Sequence, residues 1–291
     1  MGQRKTKMPT TFQAMEFEIM ICLLIASVME LVFLVYFIVV EETWKRGHFL
    51  TISEIGTPFN IALLIIGGSL STLLSLELCI IRFEGAFNAI VVAQDVLDAT
   101  IQIGYIFYSY ERAKGILEHI FPFATTWLHR FLSVAPFLLY LEAIPDIIIL
   151  ASGESSRLDD IGQILTIIGG TIGITLDILF LYSFMRFLWL TRQVKTPDNR
   201  FQIISRYGIS SSVFMVLALA MFAVFSSDHS HWFLGVTICF NFAFLVLILM
   251  KVSLHYDKMR RMKNTTISAL QHQGTKRSTH STEIYRPTIV K

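Results

Sequence analysis

The sequence contains few charged residues for its length. Of its 291 residues, 16% are charged and 54% are hydrophobic, whereas a soluble chain carries about 25% charged residues. The formal net charge of +2 is small, so the positions of the charges matter more than their sum. The deficit of charge predicts a membrane protein with little soluble mass.

Sequence motifs for reaction chemistry are missing as well. The three cysteines fall in apolar stretches without the spacing of metal ligands, at Cys22, Cys79 and Cys239, so we expect free thiols and no disulfides. The eight histidines lie in loops, flanks or the tail. The sequence has no glycine-rich phosphate loop and no nucleophile elbow. We therefore predict that the chain is not an enzyme, and we expect no catalytic residues, no bound metal or cofactor and no nucleic-acid partner.

Long apolar runs are abundant, and a spanning helix needs about 20 mostly apolar residues. Seven such runs occur, at 18–40, 58–81, 86–109, 131–151, 161–185, 208–226 and 232–254. The linkers between them are too short to form soluble domains. The predicted fold class is an all-α membrane protein, a seven-transmembrane helix bundle over 18–254, with a short N-terminus (1–17) and a Ser/Thr-rich basic tail (255–291).

The lysines and arginines are distributed unevenly between the two sides of this bundle. Five of the 24 lie on the side of the N-terminus, and the other nineteen lie on the side of the tail. Because basic residues favour the cytosolic side, we expect the N-terminus outside and the C-terminus in the cytosol of a multi-pass protein, in the plasma membrane. Residues 251–264 are predicted to form a helix that contacts anionic lipids of the inner leaflet.

Acidic residues occur within the spans, where each one costs roughly 2.5–3.5 kcal/mol at the helix centre. They are Glu30, Glu77, Asp95, Asp98, Glu142, Asp146 and Asp177. We expect no Lys or Arg at mid-depth to pair with them, because Arg82, Arg130, Arg186 and Lys251 lie at span ends and can snorkel. Two interpretations stay open: a polar pocket for a cationic or hydrogen-bonding ligand, or protonated acids that bond to neighbouring helices.

The third and fourth spans carry most of these polar residues. In the third span the polar residues recur at steps of three and four, so they share one face, and they are Gln94, Asp95, Asp98, Gln102 and Tyr105. The fourth span contains the sequence EAIPD, in which Pro145 should open the helix locally. We predict a ligand pocket formed by Glu77, Asp95, Asp98, Gln102, Glu142 and Asp146.

An acid-arginine pair, Glu111-Arg112, follows the third apolar run in the sequence YSYERAKG. Arg112 follows Asp98 by fourteen residues, which at about 100° per residue leaves it about 40° from Asp98 around the helix. Arg112 is therefore expected to point toward the bundle at the cytosolic boundary, where Glu111 partly restrains it. The alternative is a charged flank that only sets the orientation of the span.

Seven spans, short outer loops, basic inner loops and the Glu111-Arg112 pair together resemble a G-protein-coupled receptor. In rhodopsin-like members an acid-arginine pair stands at the same place, although Ala113 here replaces the usual tyrosine. The chain also has no cysteine for the usual disulfide, no proline in the sixth span and no Asn-Pro-x-x-Tyr at Asn241. The resemblance implies a divergent receptor in which Glu111 and Arg112 take part in coupling to a heterotrimeric G protein or another cytosolic signalling partner.

The sequence thus favours a receptor-like protein that binds a small cationic or hydrogen-bonding ligand between the outer halves of its spans and signals to the cytosol. A cation- or proton-coupled transporter or channel that uses the same acids as a relay is the alternative. A scaffold that recruits partners through its tail is a third possibility.

Overall fold

The computed structural model describes residues 11–43, 56–82, 87–152, 158–191, 199–225 and 229–282. We number the spans from one to seven along the chain. The first span is the helix Thr11–Tyr36, which the π-helical stretch Phe37–Thr43 continues. The second, third, fifth, sixth and seventh spans are the helices Pro58–Arg82, Phe87–Ile120, Leu158–Thr191, Asn199–Phe225 and His229–Thr282.

Seven helical segments are long and apolar enough to cross a membrane. Within the described ranges no residue is in a β-strand. This confirms the predicted all-α architecture of seven candidate spans. Large apolar side chains on the outside of the bundle remain exposed, such as Met29, Phe137 and Trp189, as a surface in contact with lipid requires.

The fourth span is interrupted near its middle. Its two helices, Pro122–Tyr140 and Ile144–Ser152, are joined by a 3₁₀ turn, Leu141–Ala143. Pro145 has no N–H to donate to the carbonyl of Leu141, and the N–H of Ile144 donates to that carbonyl instead. The structure therefore shows the local opening expected at Pro145, and Glu142 lies in the turn.

Several helices are longer than the apolar runs that predicted them. The third was expected to end at 109 but continues to Ile120, and the sixth begins at Asn199 rather than at 208. Hydropathy detects only the length embedded in lipid, whereas the helix continues wherever its backbone hydrogen bonds continue. As a consequence, Arg112 lies well inside the third helix rather than at its end.

The buried side chains form two clusters that meet at the third span. One cluster joins the third span to spans one, two, six and seven, and includes Leu34, Leu70 and Phe244. The other joins it to spans four and five, and includes Leu139 and Phe180. The third span is therefore the central helix of the bundle.

The second and seventh spans approach each other closely at Gly67. A Cβ atom at Gly67 would lie 2.5 Å from Cζ of Phe244, which is 1% exposed. Only glycine leaves room for the ring at this position. This contact fixes the distance between the two spans.

The two ends of the bundle differ, because the seventh helix extends well beyond one of them. We call the end at which the seventh helix continues toward the C-terminus the tail side, and the opposite end the far side. Residues 251–264 are part of this helix, which runs without interruption to Thr282, so their contact with lipid stays a prediction. Residues 1–10 of the predicted N-terminus, and 283–291 of the tail, lie outside the described part of the chain.

Candidate functional site

A cavity of about 490 Å³ lies between spans two to seven. This volume falls within the range of about 300–1,000 Å³ found for small-molecule sites. The lining residues Asp95, Asp146 and Phe222 lie near the far-side ends of their spans, while Tyr105 and Met215 lie deeper in the bundle. The cavity therefore occupies the far-side half of the bundle, and Tyr105 is part of its floor.

The cavity has one polar and one apolar wall. The polar wall, from spans three, four and five, is formed by Gln94, Asp95, Asp98, Gln102, Glu142, Asp146, Gln163 and Thr166. The apolar wall, from spans six and seven, is formed by Met215, Ala218, Leu219, Phe222, Phe233, Val236 and Phe240. Among the described residues that line the cavity there is no Lys, Arg or His. The site is acidic on one side and hydrophobic on the other.

The four acids of the polar wall form two pairs, each with one member from the third span and one from the fourth. Asp95 lies within hydrogen-bonding reach of Asp146, and it also lies near Glu142 and Asp98. Glu142 lies close to Asp98. This second pair is about one helical turn nearer the tail side than the first. Because like charges in a site of low dielectric repel strongly, each pair favours a proton or a cation between its members.

Several oxygen atoms of this wall are buried and accept no hydrogen bond from the part of the chain that the structure describes. They are both carboxylate oxygens of Glu142, Oδ2 of Asp95 and Oε1 of Gln102. Glu142 is only 5% exposed, and the hydroxyl of Thr166 lies beside it but donates to the carbonyl of Gly162. Buried acceptors without a donor are costly, at about 1–3 kcal/mol each, so a proton, a cation or a hydrogen-bond donor is the group that complements this wall.

Gly169 of the fifth span maintains the space beside these acceptors. A Cβ atom at Gly169 would lie 3.6 Å from Oε1 of Gln102 and 3.7 Å from Oε2 of Glu142. It would also lie 3.0 Å from a methyl group of Leu139. The glycine therefore allows spans three, four and five to meet closely around the acids.

Five of the six residues predicted to bind the ligand line this one cavity: Asp95, Asp98, Gln102, Glu142 and Asp146. Glu77 is not among the lining residues, and its Oε2 accepts a 2.7 Å hydrogen bond from Nε2 of Gln94. Gln102 likewise donates to Asp98 over 2.9 Å. Glu77 thus orients Gln94 from behind the wall, and ligand binding by the six predicted residues stays a prediction.

The floor of the cavity is connected to a buried network around Asp177. The hydroxyl of Tyr105 donates to Oδ2 of Asp177 over 3.0 Å, and Ser109 donates to Oδ1 over 3.3 Å. The hydroxyl of Ser212 donates to the same carboxylate. Nη2 of Arg112 lies 3.8 Å from Oδ1 of Asp177. Side chains of spans three, five and six therefore meet at a single carboxylate directly below the cavity.

Arg112 is buried in this network, with a side chain that is 2% exposed. Its guanidinium lies 5.5 Å from the ring centre of Phe184, and Nη1 is 3.1 Å from the position that a Cβ of Gly208 would take. The expectation that no base lies deep enough to pair with the intramembrane acids is therefore wrong. The hydropathy window ended at 109, which placed Arg112 outside the span.

Glu111 is half-buried next to Arg112, but the two side chains do not form an ion pair in the described structure. The ion pair of Arg112 is with Asp177. Adjacent residues point about 100° apart on a helix, so an acid on a facing span reaches the guanidinium better than Glu111 does. Asp177 takes the restraining position that the sequence suggested for Glu111.

A second buried base, Lys251, joins spans one, two and seven on the tail side. Its Nζ lies 2.8 Å from Oε2 of Glu42 and 2.6 Å from Oδ1 of Asn60, and its side chain is 5% exposed. Glu42 belongs to the π-helical stretch that continues the first span. The expectation that Lys251 snorkels at a span end is wrong, because Glu42 lay just beyond the predicted span and was not considered as a partner.

The contacts of the network around Asp177 were not predicted from the sequence, although the spacing of its residues was a signal. Tyr105, Ser109 and Arg112 follow one another at steps of four and three, which places them on one helix face. Ser211 and Ser212 carry hydroxyl groups within the apolar run of the sixth span. The hydroxyl of Ser211 accepts a 3.2 Å hydrogen bond from Tyr105. Polar residues at helical spacing in two different spans indicate a contact between those spans.

No protein-family model matches the chain, and a search of curated proteins finds no match. Within the described residues no group of three or more His, Cys, Asp or Glu side chains is arranged to hold a metal ion. The function is therefore argued from the chemistry of the site itself.

Proposed function

We propose that the chain is a receptor-like membrane protein that binds an organic cation in the far-side cavity and signals to a partner on the tail side. One observation carries this proposal. Tyr105 lines the cavity and also donates to Asp177, which lies 3.8 Å from Arg112. A change at the cavity floor is thereby transmitted to a buried arginine that bridges three spans.

The polar wall supports a cationic ligand. Its acids have no basic partner among the described lining residues, and Glu142 offers two unpartnered oxygens. Hydrogen bonds to charged groups contribute about 1.5–3 kcal/mol each. The apolar wall opposite the acids then contacts the hydrocarbon part of the same molecule.

The pair of Arg112 and Asp177 supports a switch. At 3.8 Å it is longer than a charge-assisted hydrogen bond of about 2.7–2.9 Å, and Nε and Nη2 of Arg112 find no hydrogen-bond acceptor in the described part of the chain. The guanidinium is therefore incompletely satisfied in this arrangement, and an arrangement that satisfies these donors would compete with it. A ligand that favours the competing arrangement shifts the population toward it.

The proposed partner is a heterotrimeric G protein or another cytosolic signalling protein. This requires the tail side to face the cytosol, as the excess of Lys and Arg there indicates, and a location in the plasma membrane. The basic continuation of the seventh helix is suited to anionic lipids of the inner leaflet.

The orientation is tested by epitope tags at the two termini of the full chain. We expect antibody labelling of an N-terminal tag on intact cells, and of a C-terminal tag only after permeabilisation, because basic loops are retained in the cytosol. Labelling of the C-terminal tag on intact cells, or glycosylation of Asn264, would reverse the orientation and remove Arg112 from the signalling side.

The transporter is the second candidate, favoured by the polar series that runs from Asp98 and Gln102 through Tyr105 to Asp177. Such a series resembles a proton or cation relay. The guanidinium of Arg112 at its lower end argues against this function, since a fixed positive charge opposes the passage of protons and cations.

The two functions are separated by reconstituting the purified chain in lipid vesicles. Recruitment of G protein and uptake of amines or protons are measured on the same preparation. We expect ligand-dependent recruitment without uptake, and we expect Tyr105→Phe to reduce recruitment more than amine affinity, because the hydroxyl connects the cavity floor to Asp177.

Tyr182→Phe is the matched control, because Tyr182 is 59% exposed. It should leave recruitment and affinity unchanged. Amine or proton uptake that Asp177→Asn removes while amine binding persists would instead establish the transporter.

A further inference from the structure

We infer that the ligand of the cavity carries two cationic groups about one helical turn apart, as in a short aliphatic diamine. The inference rests on the proposed function of the cavity as a cation site. It adds the number and the spacing of the charges.

The acids of the polar wall occupy two levels. Asp95 and Asp146 form the upper level, which is nearer the far side. Asp98 and Glu142 form the deeper level. Residues three or four apart on a helix are separated by about 4.5–6 Å along its axis. The two acid pairs are therefore stacked one turn apart along the cavity.

Each level also has a buried oxygen that accepts no hydrogen bond from the described residues. At the upper level it is Oδ2 of Asp95, and at the deeper level both oxygens of Glu142. A ligand with one ammonium group satisfies one level and leaves the other pair of acids facing each other. A ligand with two ammonium groups satisfies both, since each group donates to one pair.

The remaining surface of the cavity matches an alkyl linker. Leu219, Phe222 and Phe240 lie on the wall opposite the acids. An alkyl chain of about four carbons between two amines is as long as one turn of helix. Its methylene groups contact these apolar side chains, while the two ammonium groups reach the two levels of acids.

The experiment compares amines on the purified full chain in lipid nanodiscs, with affinity measured by calorimetry. Diaminobutane is compared with butylamine, which has the same carbon chain and one ammonium group, and with diaminooctane, whose charges are further apart. We expect diaminobutane to bind roughly 10- to 100-fold more tightly than butylamine, because one more charge-assisted contact is formed. Diaminooctane should lose most of this advantage.

Variants assign the two charges to the two levels. Asp95→Asn removes an acid from the upper level and Glu142→Gln removes one from the deeper level, and each should bring diaminobutane close to the affinity of butylamine. Glu118→Gln is the matched control, because Glu118 is exposed on the same third helix and does not line the cavity.

The outcomes separate this inference from the function on which it depends. Equal affinity of the unmodified protein for butylamine and diaminobutane would overturn the second charge and leave the cation site intact. Failure of every amine to bind would overturn both the inference and the cation site. A diamine preference without recruitment of a signalling partner would support the inference and contradict the proposed signalling.

Discussion

Replacing Asp177 by Asn is expected to raise the basal coupling of the protein to its tail-side partner, whereas Arg112→Ala is expected to abolish coupling. Asn keeps the shape of Asp, and its amide oxygen can accept from Tyr105 while its NH2 group donates to the hydroxyl of Ser109, but it removes the charge that attracts the guanidinium 3.8 Å away. Freed from this attraction, Arg112 adopts other arrangements more often. Partner recruitment per surface molecule, with and without amine, is the measurement.

A double variant shows which of the two residues acts directly on the partner. If Arg112 acts on the partner and Asp177 restrains Arg112, then Asp177→Asn combined with Arg112→Ala should behave like Arg112→Ala alone. Two residues that only stabilise the bundle would give a different result. Each would lower surface expression, since breaking a buried ion pair costs about 3–5 kcal/mol, and coupling per molecule would not change.

Asp257→Asn is the control for the removal of an acid from an ion pair. Asp257 pairs with Arg261 over 2.8 Å, four residues further along the seventh helix, and the side chain of Arg261 is 45% exposed while that of Asp257 is 11% exposed. Exposed pairs of this kind contribute little, at about 0–1 kcal/mol. Basal coupling should be unchanged in this variant, and also in Glu111→Gln, because the ion pair of Arg112 is with Asp177.

The predictable part of the fold is the part that local properties determine. Apolar runs of sufficient length predict spans because lipid offers no hydrogen bonds to the backbone, and the seven spans were found in this way. Pro145 predicted the interruption of the fourth span because its effect on the helix is local. The ends of the helices were missed, since segments of mixed polarity, such as Glu111 to Ile120, continue the helix without an unbroken apolar run.

The candidate site was likewise predictable only where local properties determine it. Acids within apolar runs are rare and costly, so Asp95, Asp98 and Glu142 were recognisable without a structure. Their arrangement in two levels was not, because it depends on how the third and fourth spans pack. The pairing of Arg112 with Asp177 likewise joins residues of two different spans, and spacing within one helix does not reveal such partners.

Glu142→Gln is expected to reduce the affinity for diaminobutane roughly 10- to 100-fold, through the loss of a charge-assisted contact. The same change is expected not to lower the melting temperature of the unliganded protein. Glu142 is 5% exposed and neither of its oxygens accepts a hydrogen bond from the described residues. The amide of Gln therefore gives up no hydrogen bond of the unliganded protein and places no charge beside Asp98.

The two readouts together distinguish a ligand site from a structural contact. An acid that stabilises the bundle by bonding to neighbouring helices would give the opposite pattern, with a lower melting temperature and an unchanged affinity in Glu142→Gln. Glu118→Gln, the same substitution at an exposed position, should change neither quantity. Function and stability place opposite demands on a buried, unpartnered acid. A residue whose neutralisation weakens binding without weakening the fold is therefore a ligand-binding residue.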